Sequence, residues 1–95
     1  MRKYESLFIL RPDLEESKRV ELIEKFKAIV NADGEMDTVE EWGMRKLAYE
    51  IEKLREGYYV LFNFRANTTL PVELERNFKI ADEVVRYVVI NREEK

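Results

Sequence analysis

The sequence predicts an α+β fold, the ferredoxin-like split βαβ sandwich, in which a four-stranded antiparallel sheet carries two helices on one face. Three observations predict it. The apolar pattern changes period along the chain in the order strand, helix, strand, strand, helix, strand. Both helical stretches bear a single apolar stripe, so both need the same sheet face to cover. Ninety-five residues, 45% hydrophobic and 39% charged, suit one small core built without staples. The whole chain, 1–95, is expected to form one such domain. Many unrelated activities share this fold, so it names no function.

The first strand is read in Lys3 to Leu10, where Tyr4, Phe8 and Leu10 alternate with Leu7 and Ile9 around a small, inward-pointing Ser6. A basic start before apolar residues also suggests a signal peptide, but the run from Leu7 is too short and ends in Arg11, Pro12 and Asp13. Asp13 and Glu16 have the spacing of an N-cap and its capping-box acid. The helix they open places Leu22, Ile23, Phe26, Ile29 and Val30 on one stripe, with Gly34 expected as a left-handed cap. Glu35 to Ile51 is a long extended segment whose alternation fails around Trp42 and Gly43, which predicts a β-bulge.

"EKLREG", ending at Gly57, reads as a hairpin connection longer than the two-residue ideal. "YYVLFNFR" then sets Tyr58, Val60, Phe62 and Phe64 against Tyr59, Leu61, Asn63 and Arg65. Thr68 or Thr69, with Pro71 in the first turn, opens a second helix whose stripe is Leu70, Leu74, Phe78 and Ala81. The last strand, Val84 to Ile90, alternates Tyr87 and Val89 against Arg86, Val88 and Ile90, and "NREEK" reads as a solvated tail.

Several classes of function are disfavoured by what the chain lacks. It has no cysteine, hence no disulfide or thiolate metal site, and no histidine, the commonest general base and neutral metal ligand. Ser6 and Ser17 have no base at a recognisable spacing, and Gly34, Gly43 and Gly57 stand singly, so no phosphate-cradling loop is present. The paired acids Glu15 and Glu16, Glu40 and Glu41, and Glu93 and Glu94 read as solvated surface. No catalytic residue, metal, cofactor or small-molecule substrate is therefore expected. No stretch approaches the roughly 20 apolar residues of a membrane span, and a cytoplasmic location is expected. The formal charge of −3, from 17 cations and 20 anions, argues against coating nucleic acid through bulk charge; such binding would be local or shared with a basic partner.

The sheet side turned away from the helices should be polar at alternate positions if it meets water. Here it would carry Leu7, Ile9, Tyr59, Leu61, Val88 and Ile90, an apolar patch contributed by three strands. A patch of that kind implies a partner, although one or two of these residues could be tucked under the segment around Trp42. The cations Arg45 and Lys46 in "GMRKLAYEI" have two readings. Beside Trp42 and Tyr49, and with Arg2 and Lys3 as further candidates, they fit phosphate contact with stacking. On an edge strand they equally serve as a guard against edge-to-edge pairing.

"WGMRKLAYEI", with "MRKYE" at the start and "VVRYVVI" near the end, resembles bacterial small-subunit ribosomal protein six over nearly the whole chain. Lys46 stands where arginine or glutamine is more usual in that family, and positive charge is kept. The resemblance implies the same ferredoxin-like fold, and binding to the central domain of small-subunit ribosomal RNA as a heterodimer with the small basic ribosomal protein eighteen. Carried over, it makes Arg2, Lys3, Trp42, Arg45, Lys46 and Arg86 the RNA-binding candidates. Alternation rather than resemblance makes Leu7, Ile9, Tyr59, Leu61 and Val88 the partner-facing candidates. A self-associating regulatory module that binds a small molecule between protomers explains the second apolar face equally well, but gives no account of Arg45 and Lys46 beside Trp42. A phosphohydrolase of the acylphosphatase kind would need an anion cradle after the first strand, and Arg11 followed by Pro12 and an acid makes a poor one.

Overall fold

The structure is a computed structural model and describes residues 1–92. Its elements are β1 (Arg2–Leu10), α1 (Glu16–Asp33), β2 (Gly34–Ile51), β3 (Leu54–Ala66), α2 (Thr69–Ile80) and β4 (Val84–Asn91). All pairings are antiparallel, and the strands lie in the order β2-β3-β1-β4. This is the predicted βαββαβ sandwich. Strand alternation turns Tyr4, Ser6, Phe8 and Leu10 of β1 and Val60, Phe62, Phe64 and Ala66 of β3 into a core shared with Leu22, Ile23, Phe26 and Val30 of α1 and Leu70, Leu74 and Phe78 of α2. Phe8 is its centre: its ring lies 5.3 Å from that of Phe26, 5.1 Å from Phe62 and 4.8 Å from Phe78, the first two edge-to-face. The Oγ of Ser6, fully buried beside these rings, has no hydrogen-bond partner among the described residues.

Helix α1 starts later than its sequence suggests. Glu15, not Asp13, occupies the N-cap, and it makes no side-chain cap hydrogen bond. Asp13 is engaged instead by Arg11, whose Nε lies 3.4 Å from its carboxylate. At the other end Gly34 is not left-handed. Its φ of −152° is extended, because α1 passes directly into β2 and Gly34 pairs with Ala66. A side chain there would meet the Arg65 carbonyl oxygen at 2.6 Å.

The β2–β3 connection is shorter than predicted. Glu52 and Lys53 both take positive φ, 52° and 68°, and form a two-residue turn that joins Ile51 to Leu54. Neither is glycine, so the sequence carried no turn signature there. Gly57 therefore belongs to β3, where Ile9 packs against it too closely for any side chain. Strand β4 extends through Asn91, and Arg92 donates its backbone N–H to the Lys3 carbonyl at 2.8 Å, so the start of "NREEK" is tied to the sheet; residues 93–95 lie outside the described residues.

Candidate functional site

The outer sheet face, opposite the helices, divides into two halves. At the end where β1 begins, its polar groups satisfy one another. Asn63 donates to Thr38, Arg65 forms a forked contact with Asp37 and reaches Glu35 at 2.9 Å, and Arg92 pairs with Glu5. The hydrogen bonds and charge of Asp37, with Glu35 adding to them, hold the Arg65 guanidinium proton even more firmly than usual. At the other end cations, aromatics and apolar residues come together, and β2 makes that half.

The predicted bulge is present. Glu41 pairs with Val60 and Gly43 with Tyr59, leaving Trp42 as the extra residue, and Gly43 takes φ of +86°. The indole released by the bulge stacks on Tyr59 across the strand, centroids 6.2 Å apart and planes 12° apart, and its N–H donates to Glu40. The Arg45 guanidinium lies 5.1 Å from the Trp42 ring centroid. Lys46 follows on the same edge, its carbonyl accepting from the Tyr59 hydroxyl and its side chain lining a groove with Leu47, Glu50, Arg55 and Glu56.

A further irregularity of β2 follows at once. Between the pairs Lys46–Glu56 and Ile51–Leu54, Leu47 to Glu50 stand opposite Arg55 alone, so this part of β2 bows out of the sheet plane. It crosses the outer face far enough for Tyr49 to meet Arg86 on β4, the opposite edge strand. Nη1 of Arg86 donates to the Tyr49 hydroxyl at 2.6 Å, and the guanidinium lies 5.7 Å from the ring centroid. Beneath the bow is a trough of about 220 Å³ lined by Leu7, Ile9, Leu47, Tyr59 and Val88 among others.

Of the six RNA candidates the fold gathers Trp42, Arg45, Lys46 and Arg86 around this half of the face. It does not bring Arg2 and Lys3 to them. Arg2 pairs with Ala66 and Arg45 with Gly57, which separates them by roughly 30 Å of strand at 3.3 Å per residue. The partner-facing candidates also divide. Val88 is 39% exposed and Leu7 and Tyr59 are half-buried, whereas Ile9 at 6% and Leu61 at 7% are already buried within the chain. Ile9 lies in the crease between Gly57 and the bowed segment, which alternation along β1 could not show. The sequence shows Tyr49 only as an aromatic beside Arg45 and Lys46; its contact with Arg86 spans 37 residues and leaves no local signature.

Among the described residues no group of three or more acidic side chains is placed to hold a metal ion, and no helix is long and apolar enough to cross a membrane.

Comparison with known proteins gives a consistent result. Residues 3–91 match the family model described as ribosomal protein S6. The small ribosomal subunit protein bS6 of Alkaliphilus oremlandii is 54% identical over 93 residues, covering 98% of this chain and 99% of the relative. That of Clostridium botulinum is 53% identical over 94 residues, with 98% and 100% covered. The crystal structure of 30S ribosomal protein S6 from Thermotoga maritima superposes with a TM-score of 0.91 at 40% identity, covering 96% of this chain and 87% of that one.

Proposed function

The chain belongs to the ribosomal protein S6 family, and we propose that it is a cytoplasmic structural constituent of the small ribosomal subunit, binding the central domain of small-subunit ribosomal RNA as a heterodimer with ribosomal protein eighteen. The observation that carries the RNA reading is the mounted cation: Arg45 held over Trp42, itself stacked on Tyr59, beside the exposed Lys46. A chain with a formal charge of −3 cannot rely on its overall field to meet phosphate. A few fixed guanidinium and ammonium groups can still set register on a backbone, while a basic partner supplies the remaining charge. Because Tyr59 and Arg45 already engage the indole, Trp42 serves here to fix the guanidinium rather than as a free platform for a base. The half-buried Leu7 and Tyr59 and the exposed Val88 and Ile90 supply apolar area for the partner.

The experiment is a filter-binding titration of a central-domain RNA fragment with this chain, with ribosomal protein eighteen, and with both. Tight binding only by the pair is expected. Equal binding by either protein alone, or none by the pair, overturns the reading. Light scattering separates it from the regulatory-module alternative, for which the isolated chain would be a tight dimer at micromolar concentration.

A further inference from the structure

We propose that Leu47 to Ile51 form a strap that covers part of the outer face in the free chain, closed by the Tyr49–Arg86 contact, and that docking of the protein partner lifts it and frees Arg86 for RNA. The second half rests on the function proposed above; the first does not. Its place in the sheet makes this segment a cover and not a part of the core. Four of its residues, Leu47 to Glu50, stand opposite the single residue Arg55 of β3, so they have no ladder partners until Ile51 pairs with Leu54. It ends directly in left-handed backbone, Glu52 and Lys53, where the chain turns back into β3. The space beneath it is open, about 220 Å³ of largely apolar trough, so it spans Leu7, Ile9 and Val88 without filling the gap above them. Its reach to the far edge ends in one hydrogen bond, between Arg86 and Tyr49, whose side chains are both exposed.

Segments with few buried contacts and exposed hydrogen bonds open at low free-energy cost. A partner that needs the open form binds with an apparent affinity reduced by the closed fraction. The same hydrogen bond occupies Nη1 of Arg86, one of the cations assigned to RNA. Strap opening would therefore expose the docking face and release a phosphate ligand in one event.

The test uses the full chain and its Tyr49→Phe and Arg86→Gln variants. Tyr49→Phe keeps the ring and removes only the hydroxyl, so folding should be preserved. Native-state amide exchange should accelerate about two- to tenfold in both variants for residues 47–51, the change expected from one hydrogen bond of ordinary net strength, with the amides of Phe8 and Phe62 unaffected. Unchanged exchange at 47–51 overturns the strap. Calorimetric titration with ribosomal protein eighteen should show Tyr49→Phe binding tighter by a similar factor; equal or weaker binding overturns the coupling. If the wild-type chain does not bind ribosomal protein eighteen at all, the proposed function and the coupling both fall, while the exchange result still decides the strap.

Discussion

The guanidinium of Arg45 lies over the indole of Trp42, 5.1 Å from its centroid, at an edge where the neighbouring residue in the chain, Lys46, also projects into solvent. An edge guard needs only charge, whereas here the cation has a fixed direction. If the proposed heterodimer forms, the double substitution Arg45→Ala with Lys46→Ala should weaken its RNA binding roughly ten- to hundredfold, the scale of lost charged hydrogen bonds. It should lower the salt slope by roughly 0.7 to 0.9 for each phosphate contact removed. Unfolding stability should move by less than about 1 kcal/mol, as for an exposed cation–aromatic contact. Intact affinity with a large loss of stability would return both residues to a structural role.

Gly43 sets the direction of that edge. A Cβ at this position would meet nothing within 4 Å, so the only cost of Gly43→Ala is the backbone at φ +86°. About 1 to 2 kcal/mol of stability should be lost, and Gly43→Asn should lose less, because asparagine tolerates left-handed backbone. Denaturant titration reads both. If the bulge straightens in the alanine variant, Trp42 fluorescence should report its departure from Tyr59.

Ser6 is the one buried polar side chain with an unpartnered oxygen among the described residues. Its neighbours across the strands, Phe62 and Val89, offer no hydrogen-bonding side chain. Ser6→Ala should therefore be neutral or stabilising by about 1 kcal/mol, since burial of an unsatisfied hydroxyl is relieved. A loss above 1 kcal/mol in thermal unfolding would show that the hydroxyl has a partner in solution.

Tyr58 donates to Glu41 at 2.7 Å, and that hydrogen bond, with burial and the Glu41 charge behind it, raises the phenol above its ordinary value near 10 despite Arg19 lying 4.2 Å from the ring centroid. A group whose folded pKa is raised binds its proton more tightly when folded. The stability it adds is present below pH ~10 and is lost as pH rises through the folded value. Glu41→Gln should lower the Tyr58 titration midpoint and flatten the alkaline loss of stability. Ring-carbon chemical shifts followed against pH measure the first effect, and an unmoved midpoint would deny Glu41 its part.

Residues such as Phe8, Phe26, Val60 and Phe62 were assignable to the core before any coordinates, because periods of 2 and 3.6 are local properties of a chain and two amphipathic helices leave few ways to cover one sheet. The bulge at Trp42 and Gly43 was legible for the same reason, as a local break in alternation. The resemblance around "WGMRKLAYEI" pointed to the family, and residues 3–91 matched it.

Four features depended on three-dimensional placement instead: the engagement of Asp13 by Arg11, the turn at Glu52 and Lys53, the burial of Ile9 and Leu61, and the distance of Arg2 and Lys3 from Arg45. Alternation states which side of a strand a residue occupies but not what lies above it. That is set by how far an irregular segment travels over the sheet, which the apolar pattern along a strand does not encode. Arg86 and Tyr49 were each visible as a cation and an aromatic, and only the folded chain made them neighbours.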